Sequence, residues 1–115
     1  MYKRQVLNGR CWSRAILGQL QPALADCNKA LSTQPNDAAA LDSRGLIYLK
    51  MGQFDSAIQD YSSALRIEPR LASALYGRGL ARLKKGDAAG GNADVEAARK
   101  LETKVADDFS QYGVR

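Results

Sequence analysis

Apolar residues recur along the chain at spacings of three and four, the period of an amphipathic helix. In mid-chain, the segment ALDSRGLIYLKM has this pattern, and Gly52 after it is suited to end a helix in the left-handed conformation. A second periodic segment, FDSAIQDYSSALRIE, then runs to Pro69, which cannot continue a helix. This part of the chain is therefore predicted to form two helices joined by a short turn, with Asp55 as the N-cap candidate of the second.

The two-helix pattern recurs every 34 residues. Shifting the chain by that distance aligns eight columns without a gap. The columns are Leu7, Leu41 and Leu75; Arg10, Arg44 and Arg78; Cys11, Gly45 and Gly79; Gly18, Gly52 and Gly86; Ala23, Ala57 and Gly91; Asp26, Asp60 and Asp94; Ala30, Ala64 and Ala98; and Pro35 and Pro69. A repeat of this length predicts helical hairpins that must stack, because one hairpin cannot bury its apolar stripe alone.

Small residues indicate where the two helices of a hairpin meet. Gly45 lies near the middle of a helix, where glycine costs about 1 kcal/mol relative to alanine. Its presence predicts a close backbone approach, with Ala57 as the partner across the hairpin and Ala64 as the residue that admits the next hairpin. Tyr61 is predicted to fill the remaining space.

The middle unit resembles the tetratricopeptide repeat signature. The residues that carry the resemblance are Leu41, Gly45, Tyr48, Gly52, Ala57, Tyr61, Ala64 and Pro69. The resemblance implies one all-α domain over 1–115, a right-handed superhelical solenoid of three helix-turn-helix hairpins plus a C-terminal capping helix. Its repeats would span about 4–37, 38–71 and 72–105, and the capping helix about 104–112. The first unit departs from the signature, with Cys11 at the small place and Cys27 at the second aromatic place. The third unit departs from it with Arg82 and Val95 at the two aromatic places.

The resemblance also implies a non-enzymatic adaptor that holds a peptide or helix of a partner protein in a concave groove lined by the first helices. The expected groove residues are Asn8, Trp12, Ala15, Ile16, Asp42, Leu46, Leu49, Lys50, Tyr76, Leu80, Leu83 and Lys84. The alternative for this set is that some members pack inside the hairpins or under the closing helix. The tetratricopeptide arrays that grip acidic chaperone tails use a basic and amide clamp. The matching places here contain no lysine or arginine, which argues against that ligand; they are Asn8, Trp12, Ser43, Ser73 and Gly77.

Two other function classes stay open. The closing helix or an open end of the array could cap a second copy and give a homo-oligomer. Nucleic-acid binding is less favoured, because the 17 basic residues are scattered and stand against 12 acidic ones. No apolar stretch is long enough for a membrane span. The cytoplasm is slightly favoured over the periplasm, and the Ala- and Arg-rich repeats favour a bacterial source.

The repeated arginines and aspartates lie outside the minimal signature. Each arginine precedes an aspartate by 16 residues, the distance from one arm of a hairpin to the other. The structural interpretation is a forked ion pair in every unit, since a guanidinium matches a carboxylate with two parallel hydrogen bonds. The alternative is a row of arginines presented to an acidic ligand.

Cys11 and Cys27 are expected on facing arms of the first hairpin. They are interpreted as reduced, buried apolar residues, and the alternative is a disulfide, which would favour an oxidising compartment. The chain has no histidine, so no Cys–His pair can form, and its two cysteines cannot build a standard four-ligand zinc site. No phosphate-loop, nucleophile-elbow or zinc-protease motif occurs. The sequence therefore predicts no catalytic site, cofactor or metal.

Overall fold

The computed structural model describes the backbone of residues 2–114 and the side chains of residues 9–114. Over these residues the chain forms helices only, with no strand. The helices are α1 (Tyr2–Ile16), α2 (Leu20–Thr33), α3 (Ala38–Met51), α4 (Phe54–Ile67), α5 (Ala72–Lys84), α6 (Ala88–Leu101) and α7 (Val105–Gln111). The all-α fold predicted from the 34-residue repeat is confirmed.

Consecutive helices pack in pairs, and the pairs stack. The first helix pair is α1 with α2, the second is α3 with α4, and the third is α5 with α6. The first helices of the pairs, α1, α3 and α5, lie side by side, and α7 lies against α5 and α6. We call the side formed by α1, α3 and α5 the first-helix face.

The turn inside the second helix pair depends on one glycine. Gly52 ends α3 with φ of 79° and ψ of 12°, the left-handed conformation that the sequence predicts. The predicted N-cap role of Asp55 is wrong, because α4 begins at Phe54 and its N-cap residue is Gln53. Asp55 instead lies in the first turn, where its exposed carboxylate pairs with the ammonium group of Lys85.

Tyr61 is the packing centre of the stack. Its side chain is fully buried, and a Cβ atom placed on Gly45 would lie only 2.8 Å from its ring. A Cβ on Gly77, in the next helix pair, would meet the other side of the same ring. The ring is therefore held between two glycines, as the space-filling role predicted for Tyr61 requires. The three atoms nearest to a Cβ at Gly45 all belong to this ring. In the third helix pair, a Cβ at Gly79 would lie 2.9 Å from the backbone oxygen of Gly91, in the columns of Gly45 and Ala57.

The repeated arginines form forked ion pairs inside each helix pair. In the second pair, Nε and Nη2 of Arg44 donate to Oδ2 and Oδ1 of Asp60 at 2.7 and 2.8 Å. Arg10 with Asp26 and Arg78 with Asp94 have the same two-bond geometry. All three aspartates are buried, so the fork offsets the cost of removing a carboxylate from water. This geometry supports the structural interpretation of the two columns.

The same arginines also join neighbouring helix pairs. Nη1 of Arg44 donates to Oδ1 of Asn28 in the preceding pair at 3.0 Å. Nη1 of Arg78 donates to Oγ of Ser62 at 3.2 Å, one repeat further along. Each of these two side chains therefore fixes both the hairpin to which it belongs and the stacking of that hairpin on its neighbour.

A disulfide bond joins Cys11 to Cys27 across the first helix pair. The two Cα atoms lie 5.5 Å apart, within the range that a disulfide requires, and both side chains are fully buried. The expected burial is confirmed, whereas the expected reduced state is wrong in this structure. The physical reason is the tight approach of α1 and α2 at a position where the other repeats have glycine and a larger side chain.

Candidate peptide-binding face

The last helix of the chain covers part of the first-helix face. Phe109 of α7 is 2% exposed, and its ring centroid lies 4.9 Å from that of Tyr76 on α5. Just beyond α7, Tyr112 meets Trp12 of α1 edge to face, with centroids 5.0 Å apart. Val105 and Val114 are also buried. The segment from α7 to Val114 therefore extends from the third helix pair to the first.

Lys50 fixes the far end of this segment. Its Nζ donates to the carbonyl oxygens of Ala15 at 2.8 Å and Tyr112 at 2.7 Å, with a longer bond of 3.4 Å to Ile16. These carbonyls lie at the C-terminal ends of α1 and α7, where the helix dipole favours a positive charge. Burial lowers the pKa of Lys50. One ammonium group thus connects α3 to the ends of two other helices.

The residues predicted to line an open groove have several different environments. Leu46 and Leu49 are buried in the core, and Tyr76 is buried beneath Phe109. Leu83 packs toward Gly91 of α6. Those partly buried are Trp12, Ile16, Asp42, Lys50, Leu80 and Leu83; Lys84 is exposed, Ala15 is fully buried, and the side chain of Asn8 lies outside the described residues. Among the side chains of residues 9–114, the predicted groove residues therefore form no continuous open apolar surface.

What stays open beside α7 is a cleft of about 390 Å³. Trp12 and Tyr112 line it together with Asp42 and residues from the turn between α4 and α5. Its lining is Gly9, Trp12, Ala39, Asp42, Ser43, Glu68, Leu71, Ser73 and Tyr112. A second cavity of about 360 Å³ shares Leu71, Ser73 and Tyr112 with it and continues toward Leu101 and Phe109. We call the first of these the Trp12 cleft.

Asp42 gives the Trp12 cleft an unusual electrostatic character. Burial raises its pKa to about 6 from an ordinary value of 3.8. The hydroxyl of Ser73 donates to Oδ2 of Asp42 at 2.7 Å and partly opposes the rise, while the charge of Glu68 adds to it. The pKa of Tyr112 is also raised, first by burial and then by Asp108 and Asp42. Negative charge is therefore concentrated in the cleft.

The sequence argument missed part of the cleft lining. Tyr112 was predicted only as part of the closing helix. Glu68 and Leu71 follow α4 and so lie outside the first helices that were predicted to line the groove. The apolar spacing of Val105, Phe109 and Tyr112 shows that this segment has a face to bury. That spacing does not show which surface covers it, so the occupied face could not be derived from periodicity.

Two family models match the chain. The model described as TPR repeat matches residues 45–86, and the model described as tetratricopeptide repeat matches residues 27–59. Together they span 27–86, just over half of the 115 residues. The chain belongs to the tetratricopeptide repeat family. A search of curated protein sequences finds no significant match.

Solved structures of other tetratricopeptide arrays superpose on nearly the whole chain. The Arabidopsis OM64 TPR domain has a TM-score of 0.86 at 21% identity, covering 98% of this chain and 93% of that one. The first TPR domain of Spaghetti (RPAP3), bound to the HSP90 peptide SRMEEVD, has a TM-score of 0.83 at 19% identity, covering 97% and 91%. These likenesses show the fold.

One similar structure is part of an enzyme. A mutant O-GlcNAc transferase from Thermobaculum terrenum has a TM-score of 0.85 at 20% identity and covers 89% of this chain. The chain spans only 20% of the length of that protein. The likeness therefore concerns only a part of that protein. Membership of the family supports a protein–protein interaction module.

Two further properties bear on function. In residues 2–114 no helix has the length and apolarity needed to cross a bilayer. Among the side chains of residues 9–114, no group of three or more cysteines, aspartates and glutamates could hold a metal ion.

Proposed function

We propose that this tetratricopeptide array binds a segment of a partner protein on its first-helix face, in the Trp12 cleft beside α7. The observation that carries the proposal is the seating of α7 on this face through Phe109 and Tyr112. A surface that holds one short aromatic helix from its own chain has the shape and apolarity to hold a peptide of similar chemistry. The cleft of about 390 Å³ beside it is open to such a segment.

The residue types in the cleft fit this role. Trp12 is partly exposed, and tryptophan and tyrosine are enriched among the residues that dominate binding energies at protein interfaces. The array of Spaghetti (RPAP3) holds an HSP90 peptide, which is an acidic segment. At the corresponding clamp places this chain has Trp12, Ser43 and Ser73, which bring no positive charge to an acidic tail. The partner segment is therefore expected to differ in charge from a chaperone tail.

Site-specific photo-crosslinking tests where the partner binds. A benzophenone amino acid at Ala39, an exposed residue of the cleft, is expected to give a covalent adduct with one partner in host cells. The matched control is Ala93, which is also an exposed alanine and lies on α6 outside the cleft. Mass spectrometry of the adduct identifies the partner and the crosslinked peptide.

A second variant separates specific from accidental adducts. The additional change Trp12→Ala in the protein that has the benzophenone amino acid at position 39 is expected to abolish the adduct. Circular dichroism must show that this variant keeps its helix content. Adducts that form equally at Ala39 and Ala93, or that persist without the Trp12 ring, would refute binding in the cleft.

Self-association is the second candidate function, and the position of α7 favours it. Only Glu102, Thr103 and Lys104 link α7 to α6, while Tyr112 contacts α1 at the other end of the array. A second copy could supply the same helix to the same face by exchange. Sedimentation equilibrium at micromolar concentration distinguishes the two states. A dimer that dissociates in Phe109→Ser would favour exchange, and a monomer at all concentrations would exclude it.

A further inference from the structure

We propose that the Trp12 cleft recognises a cationic side chain, lysine or arginine, in the partner segment. The proposal deepens the proposed function and rests on it, since it names the chemistry of the residue that the first-helix face selects. It is carried by three features of the cleft: its charges, its aromatic walls and the position of Asp42.

The Trp12 cleft has acidic lining residues, whereas the whole chain has a positive net charge. The chain has a formal net charge of +5, yet no lysine or arginine among the described side chains of residues 9–114 lines this cleft. Its charged lining residues are Asp42 and Glu68. The buried aspartates in the rest of the described chain differ from Asp42, because each of them pairs with an arginine of its own helix pair. These aspartates are Asp26, Asp60 and Asp94. The cleft is thus complementary to a positive charge, which no described side chain supplies there.

The aromatic walls suit the same ligand. The rings of Trp12 and Tyr112 meet at 81° with centroids 5.0 Å apart, so they form a corner, and both rings are partly exposed. A cation over the face of tryptophan or tyrosine is attracted by the ring quadrupole. The apolar stem of lysine or arginine can pack on the rings while its charged end reaches the carboxylates.

Asp42 is oriented for this contact. Ser73 holds one of its oxygens, Oδ2, at 2.7 Å, which fixes the rotamer of the carboxylate at the edge of the cleft. Burial and the nearby charge of Glu68 raise its pKa, which means that the side chains around the ionised carboxylate compensate its charge only in part. A bound ammonium or guanidinium would supply the missing compensation through a charge-assisted hydrogen bond.

Trp12 provides a direct probe, because it is the only tryptophan of the chain. Its fluorescence can be titrated with Nα-acetyl-arginine amide and Nα-acetyl-lysine amide at constant ionic strength. The neutral analogues Nα-acetyl-citrulline amide and Nα-acetyl-norleucine amide have a similar shape and serve as ligand controls. We expect a saturable change with the cationic ligands, at a half-saturation concentration at least about fivefold lower than with the neutral analogues.

Charge-removing variants test the carboxylates. Asp42→Asn keeps the shape of the side chain and is expected to raise the half-saturation concentration for the cationic ligands at least about fivefold. Glu68→Gln is expected to raise it by a smaller factor, because Glu68 is more exposed. The matched control Glu96→Gln removes one carboxylate from the exposed side of α6 and is expected to leave the half-saturation concentration unchanged. Circular dichroism confirms the fold of each variant.

Equal responses to charged and neutral ligands would overturn the proposal, as would an Asp42→Asn protein that binds the cations as well as the parent, or the absence of any saturable response. The titration involves no partner protein, so its failure is separable from that of the proposed function. A failed titration with persistent Ala39 adducts refutes the cation preference alone. A successful titration without Ala39 adducts supports the cation site and refutes peptide binding in the cleft.

Discussion

The three helix pairs solve one packing problem in three ways. The same two positions, 16 residues apart, are occupied by Cys11 and Cys27 in the first pair and by Gly45 and Tyr61 in the second. In the third pair they are Gly79 and Val95, where a Cβ atom on the glycine would lie 2.8 Å from Cγ2 of the valine. The facing helices are joined at that point by a disulfide bond in the first pair. In the second pair an aromatic ring packs against a glycine, and in the third a branched side chain does so.

The difference teaches which features of the repeat are fixed. The arginine and aspartate forks are present in every helix pair with nearly the same hydrogen-bond lengths. The core pair between the helices is free to change, provided that one member is small or that a covalent bond replaces the contact. Stacking limits that freedom most in the middle of the array, because the ring of Tyr61 is also packed against Gly77 of the third pair.

The largest expected effect comes from Gly77→Ala. A Cβ there would lie 2.6 Å from Cε2 of Tyr61 and nearer still to Cζ, and that ring is fully buried and cannot move aside. We expect a loss of about 3 kcal/mol or more in the free energy of unfolding, since overpacking outweighs the gain of about 1 kcal/mol in helix propensity. Urea unfolding followed by circular dichroism measures the change.

Gly9→Ala is the control for this prediction. A Cβ at Gly9 meets nothing within 4 Å, so only the helix propensity changes, and a gain of up to about 1 kcal/mol is expected. If the two variants changed stability by the same amount, the close packing between the second and third helix pairs would be disproved.

The second prediction concerns the disulfide of the first helix pair. Cys11 and Cys27 are 16 residues apart, and the chain-entropy model assigns about 3 kcal/mol to a bond that closes a loop of this size. Adding a thiol reductant should therefore lower the free energy of unfolding by about that amount. The urea midpoint with and without reductant measures it, and an unchanged midpoint would show that the cysteines are not bonded in solution.

A double variant sharpens the comparison with the second helix pair. Cys11→Gly combined with Cys27→Tyr places the glycine and the aromatic ring of the second pair into the first. We expect this protein to be insensitive to reductant but less stable than the reduced parent, because the buried Ser43 stands where the second pair's ring meets Gly77. Stability equal to or above that of the reduced parent would show that the first pair can accept the ring without a glycine in the next pair.

The third prediction compares arginines of the same column. Asp60 pairs with Arg44 alone among the described residues, whereas Asp26 receives hydrogen bonds from both Arg10 and Arg14. Arg44→Met should leave a buried carboxylate unpaired and lower the free energy of unfolding by about 2 kcal/mol or more. Arg10→Met should have a clearly smaller effect, because Arg14 still pairs with Asp26. Thermal unfolding of the two variants under one condition provides the comparison, and equal losses would contradict it.

The fourth prediction compares Lys50 with Lys84, which lies one repeat later. Lys50 bonds the C-terminal end of α7, while Lys84 is exposed. Lys50→Met should raise amide hydrogen-exchange rates in α7 by about tenfold, because a charge-assisted anchor of the segment is lost. Lys84→Met should leave these rates unchanged. Unchanged exchange in α7 after Lys50→Met would show that the aromatic contacts alone hold the segment.

The sequence was sufficient for the fold because the repeat encodes it redundantly. The 34-residue period, the turn at Gly52 and the forks of Arg44 with Asp60 all follow from local spacing. The reduced state of Cys11 and Cys27 was wrong, since spacing alone does not specify how closely α1 and α2 approach.

The candidate site was less accessible to prediction. Trp12 and Asp42 were identified from their positions on first helices, and both line the cleft. Leu46 and Leu49, which lie on α3 with Asp42, are buried instead. Residues four or fewer apart on one helix differ in burial according to what covers them. On α5 the cover is Phe109 of α7, which lies on Tyr76, and the same segment reaches α1 through the contact of Tyr112 with Trp12.

The smallest expected effect is also the most diagnostic of the packing at Tyr61. Its hydroxyl oxygen is buried with no hydrogen-bond partner among the described residues, and burial raises its pKa. A buried hydroxyl without a partner is unfavourable, so Tyr61→Phe should raise the free energy of unfolding by up to about 1 kcal/mol. Tyr48→Phe is the control, because Tyr48 is partly exposed and no change is expected. A loss of stability in Tyr61→Phe would mean that the hydroxyl is satisfied by a buried water molecule, and the pocket formed by Gly45 and Gly77 would then be a hydrated site in the otherwise apolar centre of the stack.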